Sequence, residues 1–327
     1  MRVGPDSALY PGRAPDRIDG LDVGDGHRLF VAEFGPPDAA PALFLHGGPG
    51  SGCDPWQVRL FHPTRWRLIL PDQRGAGDST PGGALHANDS AALVADLERL
   101  REHLGVTRWL VHGGSWGATL AIEYAKRHPA RVQALVLRGV FLARAEDLEW
   151  FAGTGGIARQ LPQAYAELHG ALGLPPGAGL AGLLDALHVR LAEADPHIAF
   201  AAAQAWTAWE AAVMGMAPRE VPPDTPAGRA QRERRIGRNR IHVHYCRAGF
   251  FLGPRGCLDG IEALSELPVT LVHGGADPVC RPEGARLLAG LLPNATLNLV
   301  PGAGHLAQDP ALAPALRYAL DAALAAD

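Results

Sequence analysis

Three apolar runs in this chain end on the same tripeptide: "PALFLHGGPG" at 41–50, "RWLVHGGSWG" at 108–117 and "VTLVHGGADP" at 269–278. Each reads as a buried strand that stops at glycines, because short apolar runs bounded by Gly mark strands covered on both faces. "WRLILPDQRGAGDS" (66–79) and "VQALVLRGVF" (132–141) read the same way, and "ATLNLVPGAGH" (295–305) adds a sixth strand after a helical pattern over 282–292. Helical periodicity also fills 90–105 and 117–129. Strands alternating with helices specify an α/β fold: a doubly wound, mostly parallel central sheet flanked by helices, with its site at the carboxyl ends of the strands. All three HGG turns fall at such ends. Their flanks share no period, so they are no internal repeat; what they share is the need for permissive backbone and close approach where a strand exits.

The alternation breaks over 144–245, an Ala/Leu-rich stretch with helical period and no strand runs. It reads as a helical cap inserted between two strands. The expected organisation is a core in two parts, 1–143 and 246–327, with the cap at 144–245 between them.

Bulk properties narrow the function classes. At 327 residues the chain has room for one large α/β domain with an insertion. A net charge of -4 supplies no field to draw nucleic acid or an anionic membrane. The start of the chain carries charges and prolines where a signal peptide needs an apolar stretch, and no apolar run approaches the length of a membrane span, so a cytoplasmic protein is expected. Cys53, Cys246, Cys257 and Cys280 lack CxxC spacing, which argues for reduced structural thiols over a metal site or a disulfide framework.

The chemistry centres on "GGSWG", residues 113–117, a GxSxG between a strand and a helix. There a serine sits on a strained turn with its hydroxyl exposed above the sheet, while the glycines let strand and helix pass closely. A serine hydroxyl needs a base, and the base needs an orienting group. In the chain order Ser, Asp, His, the partners of Ser115 are Asp277, directly after one strand, and His305, after the next. The negative charge developing on a substrate carbonyl needs donors: the backbone N–H groups of Gly48, in "HGGPG", and of Trp116, next to the nucleophile. His46 reads as a prop for that loop. Such a mechanism calls for no metal and no cofactor.

Six stretches taken in order, "HGGPG", "DQRGAGDS" (72–79), "GGSWGATLA" (113–121), "VLRGVFLAR" (136–144), "AWE" (208–210) and "HGGADPVCRP" (273–282), resemble the prolyl aminopeptidase (proline iminopeptidase) family, serine peptidases of the α/β-hydrolase fold. The resemblance spans about residues 20–310. It implies release of an N-terminal residue, preferably proline, from small peptide substrates with a free N-terminus. Ser115, Asp277 and His305 match the family's triad. Glu210 matches a carboxylate that grips the substrate's α-amino group, and Arg138, Phe141, Phe151 and Cys280 match positions around the amine and the ring pocket. The physics agrees, since an ammonium entering a water-poor pocket needs a carboxylate and a pyrrolidine ring needs apolar walls.

One stretch departs from the pattern. Where the family reads Arg-Ile-Glu-x-His-Tyr with a second amine-binding glutamate, this chain has "RIHVHYC", placing His242 at the glutamate and Cys246 at an aromatic position. A neutral imidazole brings no charge to an ammonium and a protonated one repels it, so weaker or altered amine recognition is expected. An amino-acid amidase or esterase with the same triad is the alternative within enzymes; a catalytically idle binding protein is the alternative outside them. The basic run "GRAQRERRIGRNR" (228–240) lacks interleaved aromatics and reads as a solvated helix face, not a nucleic-acid site.

Overall fold

All six apolar runs form strands, and a hairpin precedes them. In chain order the strands are Arg17–Gly24 (β1), His27–Phe34 (β2), Ala40–Leu45 (β3), Trp66–Pro71 (β4), Trp109–Gly114 (β5), Val132–Arg138 (β6), Val269–Gly274 (β7) and Ala295–Val300 (β8). They make one sheet in the order β1-β2-β4-β3-β5-β6-β7-β8. The β1·β2 and β2·β4 pairs are antiparallel, and all others are parallel. The computed structural model describes residues 9–175, 177–217 and 220–325. The first residues used in the signal-peptide argument, 1–8, lie outside these.

The β1–β2 hairpin carries no strand expectation: β1 is a mostly exposed edge whose polar residues hide the alternation, whereas β2 is largely buried and its "LFVAEF" is a strand signal in its own right. Its turn is nonetheless written in sequence: Asp25 and Gly26 both take positive φ (54° and 76°), the backbone an Asp-Gly hairpin demands.

The core helices are Ser90–His103 (α1), Trp116–Arg127 (α2), Pro282–Leu291 (α8) and Leu312–Ala325 (α9), and five more lie between β6 and β7: Ala145–Ala152 (α3), Pro162–Ala171 (α4), Leu180–Leu191 (α5), Pro196–Val213 (α6) and Pro226–Arg247 (α7). Their starts obey capping chemistry. Asp89, Asp195 and Thr225 each accept a backbone N–H of the first turn, and proline follows directly after Asp195 and Thr225.

Successive strand residues face opposite sides. Val111, Leu135 and Leu271 therefore join Leu120, Ile122 and Leu288 in one apolar layer, while Leu110, Val136 and Val272 join Leu312, Leu316 and Leu320 in the other. A third cluster, built on Leu183, Leu187, Trp206, Trp209 and Val243, holds the α3–α7 helices together. Among the described residues no helix is long and apolar enough to cross a membrane.

Candidate active site

The three HGG histidines have one structural task. His46, His112 and His273 are all buried at strand ends, and each fastens its strand to a neighbour. His46 Nε2 accepts from the Gln73 N–H (3.0 Å), which leaves Nδ1 to donate to Gly47 O (2.9 Å). His112 Nδ1 donates to Val136 O (2.7 Å), and burial, aided by Arg138, pulls its pKa down to about 4 against that bond. His273 Nδ1 accepts from the Val140 N–H (3.1 Å), so Nε2 carries the proton and donates to Cys280 O (2.8 Å). For His46 and His273 the paired roles, one ring nitrogen accepting and the other donating, require a neutral ring. The expected prop role of His46 is met by this geometry: Gln73 also donates to His46 O (2.9 Å) and accepts from Trp116 Nε1 (2.9 Å), tying three loops together.

Ser115 stands at the β5–α2 junction with φ 57° and ψ -125°, a sparsely populated conformation that costs a non-glycine residue about 1–3 kcal/mol. Its N–H donates to Arg138 O (2.9 Å). The turn closes because a Cβ on Gly113 would lie 2.2 Å from Gly117 O and one on Gly117 2.1 Å from Leu45 O, contacts no side chain survives. Helix α2 thus runs directly against β3.

Asp277 and His305 arrive on the loops after β7 and β8. His305 Nδ1 lies 2.8 Å from Asp277 Oδ2, and Asp277 Oδ1 accepts the N–H groups of Val279 and Cys280, both at 2.9 Å. Burial works to raise the Asp277 pKa, but His305, His273 and the Cys280 N–H outweigh it and hold the carboxyl below its ordinary value. Ser115 and His305 line one cavity of ≈ 270 Å³, with Asp277 buried behind His305. No hydrogen bond joins Ser115 to His305 among the described residues; such bonds are often long in unliganded sites and tighten around substrate.

Gly48 also lines this cavity, at φ 112°. Trp116, the other expected donor, is not among the residues lining the cavity: its indole is fully buried and stacks on Phe250 at 5.6 Å. In the turns and loops described, neither the Gly48 nor the Trp116 N–H donates to a backbone carbonyl.

The cavity's remaining walls hold the expected substrate-binding residues Arg138, Phe141, Phe151, Glu210, His242 and Cys280. Phe141 packs edge-on against Phe250 (4.9 Å) and Phe151 against Trp206 (5.8 Å). Burial drives the Cys280 thiol well above its ordinary pKa, so it stays a neutral thiol in the cavity wall beside Ser115. Arg138 does not face the amine end freely: Nη1 donates to His305 O (2.6 Å), and its guanidinium packs on Gly114, so it anchors the histidine loop.

The chain as a whole has relatives among known proteins. The chain matches the model of the α/β hydrolase fold over residues 41–312. It is 40% identical over 314 residues to the proline iminopeptidase of Xylella fastidiosa (strain 9a5c), covering 96% of this chain and 98% of that one. The chain belongs to the proline iminopeptidase family. A second relative, the proline iminopeptidase of Arabidopsis thaliana, is 39% identical over 310 residues, covering 94% and 80% of the two chains. Two solved structures share the fold: a proline iminopeptidase-related protein from Thermus thermophilus (25% identity, TM-score 0.58, 95% and 97% covered) and the proline iminopeptidase of Mycobacterium smegmatis (24%, 0.61, 95% and 100%).

Against that family background, two features of the site escaped the sequence. Phe250, after α7, forms apolar wall. Arg238, from the basic run expected to be a solvated face, turns inward: its two terminal nitrogens pair with the two oxygens of Glu210, Nη2 with Oε1 at 2.8 Å and Nη1 with Oε2. His242 Nδ1 lies 3.0 Å from Glu210 Oε1 and 3.2 Å from Trp206 Nε1. Both contacts meet at one ring nitrogen, so one tautomer donates to the carboxylate and the other accepts from the indole. Burial penalises the Glu210 charge, yet Arg238 and His242 more than offset it and bring its pKa to about 2.

Proposed function

We propose that this chain is a serine aminopeptidase that releases an N-terminal residue, preferably proline, from small peptides with a free N-terminus, through an acyl-enzyme. The observation that carries the reading is the 2.8 Å Asp277–His305 contact in the cavity that also holds Ser115 on its strained turn. The relatives' names point to the same activity.

In this mechanism Ser115 Oγ attacks the carbonyl carbon while His305 Nε2 takes the hydroxyl proton. Asp277 keeps the other proton on Nδ1 and steadies the imidazolium. The Gly48 and Trp116 N–H groups receive the oxyanion. Collapse of the tetrahedral intermediate breaks the C–N bond, and His305 hands its proton to the leaving amine. Water, deprotonated by His305, then attacks the acyl-enzyme and frees Ser115 and the N-terminal residue.

The cap, 144–245 between core parts 1–143 and 246–327, closes the amine end with Glu210 and His242, and Phe141, Phe151, Cys246 and Cys280 offer a ring its apolar walls. Only a chain end brings an ammonium to that depth, which makes the enzyme an exopeptidase.

The test compares arylamine release from prolyl-, alanyl- and N-acetylprolyl-arylamides and hydrolysis of a simple aryl ester, with Ser115→Ala as blank. Release from the free prolyl compound and none from its acetylated form supports the reading. Ester cleavage with silence on all three amides refutes it.

A further inference from the structure

The carboxylate assigned to the substrate's ammonium already holds a cation. Arg238 covers both Glu210 oxygens, and His242, one turn along α7, reaches one of them as well. The pair sits inside the cavity wall, with the Glu210 and Arg238 side chains 9% and 25% exposed. One negative and one positive charge leave the subsite neutral, so a substrate ammonium added to it meets a guanidinium of like sign.

The backbone cannot relieve this. Helix α7 passes so close to the HGGPG loop that a Cβ on Gly50 would lie 2.9 Å from Arg238 O. The side chain, however, borders two cavities: the one around Ser115 and a second of ≈ 590 Å³, lined also by Gly83, Glu233, Arg234 and Gly237. A guanidinium on a flexible stem can leave Glu210 for that second space without moving the helix.

We propose that Arg238 is a resident cation that fills the ammonium subsite of the free enzyme and must give up Glu210 when a free-amine substrate binds, so that it sets the enzyme's affinity for a free N-terminus. The inference rests on the aminopeptidase reading. Arg238 also keeps the buried carboxylate ionised and pre-formed between substrates.

The experiment measures KM and kcat of Arg238→Met, Arg238→Lys and the wild type on prolyl-arylamide, together with the inhibition constant of pyrrolidinium chloride against aryl-ester hydrolysis. Competition between two cations predicts that Arg238→Met tightens both the prolyl-arylamide KM and the pyrrolidinium constant, each on the order of tenfold, while Arg238→Lys stays near the wild type. If Arg238→Met is poorly folded, Arg238→Gln replaces it, and the larger thermal stabilisation by pyrrolidinium over sodium chloride in the variant than in the wild type is read instead. Unchanged or weaker pyrrolidinium binding in the folded variant overturns the proposal. Failure of the aminopeptidase reading looks different: no protein, wild type included, cleaves prolyl-arylamide, while the ester is still hydrolysed.

Discussion

Replacing Asp277 by Asn changes one atom and reverses the chemistry of the base. Asp277 Oδ1 is held by two backbone donors, Val279 and Cys280 at 2.9 Å each, so an asparagine must keep its oxygen there. Its NH₂ then occupies the Oδ2 position, 2.8 Å from His305 Nδ1, and can only donate. The imidazole is forced to accept at Nδ1 and carry its proton on Nε2, the nitrogen that must take the proton of Ser115. The same change of tautomer in another serine-histidine-aspartate triad lowers kcat about 10⁴-fold, equivalent to about 5.4 kcal/mol of transition-state stabilisation. We predict a loss of that order in kcat on prolyl-arylamide, with KM little changed and Tm near wild type because both backbone donors stay satisfied. Asp277→Ala separates the two effects: it strands the buried Cys280 N–H at about 1–3 kcal/mol, and the partly buried Val279 N–H at less, and so lowers Tm as well. A folded Asp277→Asn enzyme within tenfold of wild-type turnover would refute the assignment of Asp277 as the residue that orients His305.

Three further outcomes are expected. Ser115→Ala should lower turnover by about 10⁴ or more without lowering Tm, and should abolish fluorophosphonate labelling; activity near wild type ends the mechanism. Gly139→Ala should hurt both stability and kcat, since Gly139 has φ 52° and an added Cβ would sit 3.2 Å from His305 Cε1 and 3.4 Å from Asp277 Oδ2. The left-handed backbone alone costs about 1–2 kcal/mol, so a Tm equal to wild type contradicts the argument. Glu210 has a folded pKa of about 2 against an ordinary 4.5, a depressed value, so its contribution of about 3 kcal/mol is fully present above pH 4.5 and is lost as pH falls towards 2. Acid unfolding of Glu210→Gln should therefore be flatter than wild type across that window, and parallel curves would exclude the ion pair as its source.

Local patterning revealed a great deal here. Six strands, the Ser115 turn and the chain order Ser, Asp, His were readable because each depends on residues adjacent in sequence: an apolar run, a glycine that a neighbouring backbone approaches, a serine wedged between strand and helix. In the β1–β2 hairpin, β1 is an exposed edge whose relaxed alternation hides it, whereas the largely buried β2 and the Asp25-Gly26 turn are signals that the alternation of buried runs alone does not collect. The cap's helices were legible by period, but period does not say which face meets which partner. Arg229, Arg232, Arg234, Arg235, Arg238 and Arg240 look alike along α7. Only the packing of α6 against α7 decides that Arg238 is the one aimed at Glu210, 28 residues away. A strand or turn is selected by short-range sterics and burial, which the order of residues encodes directly. The charge state of a subsite is a sum over side chains from separate elements, and it exists only once those elements are packed together.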